Sequence, residues 1–500
     1  MNAKKTFLIL FLIVVLGFSL RAYKLDANSF VTDEFLDINA SYGYYKTGHW
    51  LAWDFNMDRV SDNLFAPRDE RAWPYRWQVA QLFRWFPPTE TVARSISVAW
   101  GVISIVIIYF VGKYFTGKRE IGLLSAFLFA VSALGISIDR ALRMYAMFMP
   151  VFLLFSCFLF RFFEEEYRGK IKIFKKIYGR LGLNAVWLLP VLATGIISWY
   201  VHILTANIAI AFFFYLLVSA VVSFKNKRSV LTKYSASLFA MLLGAVIFII
   251  FFPKEAAWYS LVVKFFKFNS KYFLAIVGDY ANYILAYGLI FWGTFSLFKK
   301  SEDHRAALWI SCMFFAILIP AFLVWNYVFG ERLIFFILPF GIILLSSGIY
   351  YLAEFFAKNS LRFKIPIFIG VLGFFLLILP DYSRFFTEKN FYRQESDNPD
   401  YRKMFSYVKK NGASGDFLIA RNFRSFYYQK LGFRVIDVGG ERKISQAKLD
   451  EIISQNSAIW TIFDDGKGTF EDDALKFVKN NFRLVKKFED NNIYYLPANR

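Results

Sequence analysis

Residues 6–34, TFLILFLIVVLGFSLRAYKLDANSFVTDE, join an apolar run of membrane-spanning length to the acidic pair Asp33-Glu34. About ten further apolar runs follow this stretch. An apolar segment of about twenty residues crosses the hydrocarbon core of a bilayer as a helix. Ionisable side chains near that core are costly, so their presence needs a structural or functional cause. The stretch therefore predicts a first membrane span, followed about ten residues later by an acidic pair with a structural or functional role.

The composition is that of a polytopic membrane protein. Of the 500 residues, 57% are hydrophobic and only 19% are charged, whereas soluble domains usually carry about a quarter charged residues. The net charge of +21 does not indicate a nucleic-acid partner, because many cations lie in short loops between apolar runs. Each of the two cysteines lies within an apolar run, which predicts neither a disulfide nor a metal site.

The apolar runs predict about eleven transmembrane helices. They lie at 6–22, 93–112, 121–138, 146–163, 182–200, 203–222, 234–252, 279–298, 306–328, 332–352 and 365–380. Lys and Arg concentrate in the loops on one side, while the short connections on the other side hold only Arg140 and Arg143. The positive-inside rule then predicts a multi-pass protein of the plasma (inner) membrane with a cytoplasmic N-terminus. Because no small-residue cleavage pattern follows the first run, we expect it to be an uncleaved span.

Two long segments lie outside these runs. Residues 1–380 form the predicted transmembrane domain, whose first outer loop, 23–92, mixes tryptophans with charges as interfacial helices do. Residues 381–500 are polar and form the second predicted domain. In it, apolar runs at 417–420, 434–438, 458–463 and 493–496 alternate with helical patterns at 425–431, 445–455 and 470–480. Alternating strands and helices predict a small α/β domain on the extracytoplasmic side.

Asp33 and Glu34 are candidate catalytic carboxylates on the outer side. Transfer of a sugar to a hydroxyl requires a base for the acceptor and cations for the departing phosphate. The same pair is also explained as a solvated turn, or as the start of an interfacial helix over 34–46 capped by Thr32 or Asp33. The residues alone leave these interpretations open.

Candidate phosphate-binding side chains fall at the outer ends of other predicted spans. Arg140 and Arg143 share a helical face, and two guanidiniums suit the bidentate geometry of a phosphate. Tyr145 follows them, His202 lies between the fifth and sixth spans, and Arg332 opens the tenth. Taken singly, the arginines could contact lipid head groups and His202 could be structural. Their common membrane face favours one shared site.

The order of these features resembles the GT-C fold of polyprenyl-phosphate-sugar-dependent glycosyltransferases, especially bacterial relatives of protein O-mannosyltransferases and of the lipid A aminoarabinose transferase. The motifs that carry the resemblance are Arg21, Leu25, Asp33-Glu34, Arg94-Ser95, Arg140-Ala-Leu-Arg143-Met-Tyr145, His202, and Glu331-Arg332 with Pro339. The resemblance implies that Asp33 is the general base or an acceptor-orienting acid. It also implies a lipid-phosphate site bordered by Arg143, Tyr145 and Arg332.

One segment departs from the family pattern. Many relatives carry a His-Pro-Pro-Leu-like stretch late in the first loop, where this chain has Arg71-Ala-Trp-Pro-Tyr-Arg76. Asp69 and Glu70 are therefore kept only as a candidate second acidic site. No tight cluster of metal ligands is visible, so no metal is assigned, although some GT-C enzymes use a divalent ion.

The resemblance implies a glycosyltransferase of the hexosyl/mannosyl or aminoarabinosyl type that acts with inversion on the outer face. Its partners would be a polyprenyl-phosphate-linked sugar, membrane lipids, and an acceptor glycan, lipid or protein. The alternative is a polytopic transporter or lipid flippase, which would place ionisable residues around a midplane cavity. Charges that gather at span ends and in one long loop favour the enzyme. A non-catalytic scaffold explains neither the arginine turn nor the long loop.

Overall fold

The computed structural model describes residues 2–61, 72–227, 231–253, 268–278, 280, 282–300, 304–325, 331–356, 370, 400–438, 443–463, 469–488 and 491–498. Contacts between Cα atoms divide the chain into two compact units. The first unit comprises Met1–Ala22, Ser97–Asp139 and Met144–Asp381. The second comprises Tyr23–Ile96, Arg140–Arg143 and Tyr382–Arg500.

The described residues of the first unit form mainly apolar helices. Its α-helices are Ala3–Ala22, most of Glu90–Thr116, Arg119–Ala130, Ala133–Arg140, Tyr145–Glu164, Lys172–Leu181, Leu188–Val201, Ile208–Lys227, Lys233–Phe251, Ser270–Val277, Tyr283–Lys300, His304–Val324, Glu331–Ile334 and Leu338–Phe356. Short 3₁₀ helices occupy Ala185–Trp187, Ile203–Asn207 and Phe335–Ile337. Within the described residues, seven helices are long and apolar enough to cross a membrane, or up to nine if each bent pair forms one span. The predicted multi-pass helical membrane protein is confirmed.

The count of eleven spans stays a prediction. The predicted run 365–380 lies outside the described residues except for residue 370. The run 279–298 forms the helix Tyr283–Lys300, which is not among the seven that meet the length and hydropathy criteria. The run 121–138 forms a pair of helices bent by 59° after Ala130.

Close packing in this unit depends on glycines that let two helix backbones touch. A Cβ added at Gly293 would lie 2.0 Å from the carbonyl oxygen of Leu344. A Cβ at Gly348, on the facing helix, would lie 2.0 Å from the carbonyl oxygen of Leu289. Small residues at such contacts are the usual means of helix association in membranes, because apolar side chains gain little by leaving lipid.

A buried ion pair ties the first span to the bent pair of helices. Arg21 Nε lies 2.8 Å from Asp139 Oδ2, and both side chains are essentially inaccessible. The Arg21 guanidinium also donates to the carbonyl oxygens of Gly17, Ala130 and Phe129. These carbonyls help to satisfy a charge that would otherwise be costly in an apolar environment.

The second unit contains the first-loop helices Thr32–Thr47 and Trp73–Leu82, the start of Glu90–Thr116, and the polar tail. Strands β1 (Trp53–Asp54) and β2 (Arg59–Val60) form an antiparallel pair. The tail contributes the helices Tyr401–Asn411, Gln446–Ser454 and Asp472–Asn481, the 3₁₀ helix Asn422–Tyr428, and strands β3 (Phe417–Ala420), β4 (Arg434–Asp437), β5 (Ile459–Phe463), β6 (Arg483–Phe488) and β7 (Asn491–Leu496). The first loop and the tail therefore belong to the same compact unit.

The tail has the predicted C-terminal α/β architecture. The five strands among its described residues follow the order β4-β3-β5-β7-β6, in which β3 runs parallel to β4 and β5 while β7 runs antiparallel to β5 and β6. Ser445 caps the helix Gln446–Ser454, because its hydroxyl accepts the N–H of Lys448 at 3.3 Å. The helix predicted over 425–431 is instead the 3₁₀ helix Asn422–Tyr428. Strand β6 was not predicted, because Lys486 and Lys487 interrupt its apolar alternation.

Replacing Gly293 with Leu should lower the free energy of unfolding of the first unit by at least about 2 kcal/mol, because the new side chain would overlap the facing backbone. Gly288→Leu is the matched control, since a Cβ at Gly288 of the same helix meets no atom within 4 Å. Thermal unfolding of both variants in detergent tests this; equal loss in the two variants would contradict it.

Candidate active site

The acidic pair opens the helix Thr32–Thr47, whose N-cap residue is Val31 rather than Thr32 or Asp33. Glu34 Oε2 accepts the N–H of Val31 at 2.9 Å, and the carbonyl oxygen of Val31 accepts the N–H of Glu34 at 2.9 Å. A carboxylate three residues into a helix commonly reaches back to the cap in this way. The helix therefore begins two residues before the predicted position, and Glu34 supplies the capping carboxylate.

Glu34 also forms a bidentate ion pair with Arg94, and neither side chain is accessible to solvent. Arg94 Nε lies 2.9 Å from Oε1, and Arg94 Nη2 lies 2.7 Å from Oε2. The N–H of Leu142 donates to Oε1 at 2.6 Å. With the N–H of Val31 included, four N–H groups donate to the Glu34 carboxylate.

Arg94 is equally well satisfied. Nη1 donates to the carbonyl oxygens of Leu25 and Asn28, at 3.0 and 2.8 Å, and Nη2 donates to that of Ser29 at 3.1 Å. With the two bonds to Glu34, these account for all five N–H groups of a guanidinium. The buried pair therefore fixes the chain between the first span and the helix Thr32–Thr47.

A second carboxylate, Asp37, lies one helical turn after Asp33 and is fully buried. Its two oxygens accept from two different arginines, Arg76 Nε at 2.6 Å and Arg143 Nη1 at 2.6 Å. Sequence reasoning missed this residue. The available signal was the spacing of four between Asp33 and Asp37, which places both on one helix face.

Asp33 is the accessible carboxylate of this group, with 34% of its side chain exposed. Arg143 Nη2 lies 3.4 Å from its Oδ2, and Arg143 Nη1 donates to its backbone carbonyl oxygen at 3.0 Å. The Arg143 side chain itself is 11% exposed. Arg143 thus contacts both Asp33 and Asp37 from the edge of the buried cluster.

Arg140, the other predicted phosphate ligand, is fully buried. Its Nη1 donates to the carbonyl oxygen of Tyr23 at 2.6 Å and its Nη2 to that of Lys24 at 2.9 Å. These contacts hold the chain where it leaves the first span, and a phosphate contact by Arg140 stays a prediction.

The cluster carries an excess of positive charge. Its members are the carboxylates Asp33, Glu34 and Asp37 and the guanidiniums Arg76, Arg94, Arg140 and Arg143. Three anions and four cations leave a net charge of +1, which favours an anionic ligand.

Tyr145 and His202 lie in the first unit and contact each other, with ring centroids 5.3 Å apart. Nδ1 of His202 accepts the N–H of Leu204 at 3.1 Å and so caps the 3₁₀ helix Ile203–Asn207. Because Nδ1 is an acceptor, the ring proton of a neutral His202 lies on Nε2.

Three predicted site residues lie wholly or partly outside the described residues. Arg332 lies in the short helix Glu331–Ile334, but its side chain falls outside the described part. Asp69 and Glu70 lie outside the described residues. Among the described residues, no group of three or more His, Cys, Asp or Glu side chains could hold a metal ion.

The tail contacts the segment that precedes the acidic pair. The N–H of Phe30 donates to the Tyr427 hydroxyl at 2.6 Å, and that hydroxyl donates to Glu90. Arg402 pairs with Glu90 and donates to the carbonyl oxygen of Asp26 at 2.6 Å. Burial and, after it, the Glu90 carboxylate raise the pKa of Tyr427 well above its usual range, so the phenol keeps its proton and remains a donor.

The helix Thr32–Thr47 itself also rests on the tail. Asn39 Nδ2 donates to the carbonyl oxygen of Phe423 at 2.7 Å. The ring of Phe35 packs edge-on against those of Phe423 and Tyr427, with centroids 5.8 and 5.4 Å apart. The tail therefore supports both the approach to the acidic pair and the helix that bears it.

The fold and these contacts define a polytopic α-helical membrane protein with a C-terminal α/β domain. No family model and no curated protein matches the chain, but solved structures do. ArnT from Cupriavidus metallidurans bound to undecaprenyl phosphate has 10% identity and a TM-score of 0.56, over 99% of this chain and 98% of ArnT. The archaeal oligosaccharyltransferase AglB from Archaeoglobus fulgidus, in complex with an inhibitory peptide and a dolichol-phosphate, has 10% identity and a TM-score of 0.60, over 93% of this chain and 70% of AglB. The chain has the GT-C fold, as the order of its motifs predicts.

Replacing Glu34 with Ala should lower the free energy of unfolding by about 3–5 kcal/mol, because Arg94 would stay buried without its counter-ion. Asp33→Ala should cost less than about 1 kcal/mol, since that carboxylate is partly solvated. Thermal unfolding of the two variants in the same detergent gives the comparison. Similar losses would show that Glu34 has no special structural role.

Proposed function

We propose that the protein is an inverting glycosyltransferase that moves a sugar from a polyprenyl phosphate to an acceptor on the outer face of the membrane. The observation that carries the proposal is the solvent access of Asp33 within a cluster that is otherwise buried and has a net positive charge. A carboxylate with that access can take a proton from an acceptor, and the adjoining Arg143 can stabilise a phosphate.

The reaction is a single displacement. Asp33 accepts the proton of the acceptor hydroxyl or amine while the acceptor atom bonds to the anomeric carbon of the sugar. The bond from that carbon to the phosphate oxygen breaks, and its electron pair leaves with the polyprenyl phosphate. Because a phosphate is stable as an anion, its departure needs charge stabilisation more than protonation, which is the role proposed for Arg143.

The other members of the cluster act as positioning residues in this scheme. The carboxylate oxygens of Glu34 and Asp37 already accept hydrogen bonds from backbone N–H groups and arginines. Asp33 is therefore the proposed base. Tyr145, His202 and Arg332 are proposed to border the lipid-phosphate site. The proposal also includes a domain boundary near residue 380, a cytoplasmic N-terminus and an extracytoplasmic tail.

The compared structures support the class of donor. ArnT was solved with undecaprenyl phosphate and AglB with a dolichol-phosphate, both of which are polyprenyl-type lipid phosphates. A hexose, mannose or aminoarabinose as the transferred sugar, and a glycan, lipid or protein as acceptor, belong to the same proposal.

A transporter or lipid flippase is the second candidate function. One observation favours it, since the helices Arg119–Ala130 and Ala133–Arg140 are bent by 59° and hold Asp139 against Arg21 in the apolar unit. Broken helices with buried charges are common at transport sites. The Arg21 guanidinium of that pair also donates to three backbone carbonyl oxygens. An arginine held in this way fits a structural role better than a transport role.

Asp33→Asn should reduce sugar transfer by at least about 100-fold, because the amide cannot act as a base. The measurement uses purified protein in liposomes, labelled polyprenyl-phosphate sugars and a cell-envelope acceptor extract from a deletion strain. Asp58→Asn is the matched control, because Asp58 is an exposed first-loop residue with a φ of 51°, a conformation that Asn tolerates. Unchanged transfer by Asp33→Asn would exclude the proposed base, and labelled substrate crossing the bilayer without a covalent product would favour the transporter.

Tyr427→Phe should lower kcat about tenfold with little change in the KM for donor, because the Phe30 N–H and Glu90 would lose the hydroxyl that joins them. Tyr407→Phe serves as the control, since its hydroxyl donates within the tail, to the carbonyl oxygen of Val485 at 3.3 Å. Steady-state kinetics of both variants are compared after thermal unfolding has established intact folding. A fall in kcat matched by Tyr407→Phe would contradict a positioning role for Tyr427.

A further inference from the structure

A short helix, Lys172–Leu181, lies between the helices Tyr145–Glu164 and Leu188–Val201, and none of its residues is buried. It ends at Gly182, which has a φ of 67° and donates its N–H to the carbonyl oxygen of Tyr178. The chain then turns by 108° into the segment Ala185–Val201. That segment overlaps the predicted span 182–200, and a helix at about a right angle to a span lies close to the membrane plane.

The two faces of this basic helix differ sharply. Ile173, Ile177 and Leu181 recur every four residues and form an apolar stripe with Phe174 and Tyr178. Ile173 is 61% exposed and Leu181 is 57% exposed. The opposite face carries its exposed cations, which are Lys172, Lys175, Lys176 and Arg180.

The tail contains a similar helix in a different environment. Tyr401–Asn411 also carries three lysines, Lys403, Lys409 and Lys410, on its polar face. Its apolar residues Tyr401, Met404, Phe405 and Val408 are buried inside the second unit. The basic helix of the first unit has the same amphipathic pattern, but none of its apolar residues is fully buried. Ile173 and Leu181, at the two ends of the stripe, are mostly exposed and require an apolar partner.

The adjoining cavity does not account for the positive charge. It has a volume of about 630 Å³ and includes Glu164, Glu165 and Glu166 in its lining. These carboxylates pair with Lys233 and Arg305, with Arg161, and with Arg168 respectively. Charge within the cavity is therefore largely compensated, whereas no acidic residue lies on the basic helix itself.

We infer that the helix Lys172–Leu181 binds anionic phospholipid at the membrane surface. Its apolar stripe enters the boundary between head groups and acyl chains, and its four cations contact the phosphates. Each cation near an anionic surface contributes about fivefold in affinity, so the preference for anionic over zwitterionic lipid is large. The inference is independent of the proposed sugar transfer.

The test uses the full chain in nanodiscs of phosphatidylcholine alone or of phosphatidylcholine mixed with phosphatidylglycerol. Amide hydrogen exchange over 172–181 should slow by about tenfold or more in the anionic discs, and high salt should reverse part of that protection. The triple variant Lys172→Gln, Lys175→Gln, Lys176→Gln should lose the difference between the two lipids.

The matched control replaces Lys403, Lys409 and Lys410 of the tail helix with Gln, which removes the same charge elsewhere. This variant should keep the lipid-dependent protection of 172–181. Equal exchange of the unmodified chain in the two kinds of disc would overturn the inference. So would an undiminished lipid dependence in the Lys172, Lys175 and Lys176 variant.

Discussion

The second unit depends on one buried ion pair, Glu34 with Arg94. A guanidinium out of water must have acceptors for all its N–H groups, since an unpaired buried donor is costly. Arg94 finds two on Glu34 and three on the backbone of residues 25–29. The buried Arg94 guanidinium needs these acceptors, and its bonds to them fix the path of the chain from the end of the first span to the start of the next helix.

The position of Asp33 follows from that constraint. Glu34 and Asp37 point into the unit, where arginines and backbone N–H groups bind all of their oxygens. Asp33 shares a helix face with Asp37 but lies one turn nearer the start of the helix. At that end its side chain is 34% exposed, with Arg143 alongside. The cap and the ion pair of Glu34 hold the start of the helix in place, and with it the accessible carboxylate of Asp33.

Sequence reasoning predicted what depends on local pattern. The length of the apolar runs predicted the helical membrane unit, and the alternation of strand and helix patterns predicted the α/β tail. It also singled out Asp33, Glu34 and Arg143 because they lie near predicted span ends. Pairings across long sequence distances were beyond it, since nothing local to Arg76 or Arg94 marks Asp37 or Glu34 as its partner. The family resemblance already ranked Asp33 above Glu34, and the burial of Glu34 adds a physical reason for that order.

The contacts of the tail are a second example of long-range pairing that the sequence does not predict. As separate strings of residues, the first loop and the tail share no pattern that predicts contact. In the folded unit, Tyr427 joins the backbone of Phe30 to Glu90, while Arg402 ties Glu90 to the backbone of Asp26. The ion pairs of Glu34 and Asp37 with arginines already hold the acidic helix within the first loop. The tail supplies the additional fixed points, and because they flank the Glu34–Arg94 pair, a domain distant in sequence stabilises the geometry on which the accessibility of Asp33 depends.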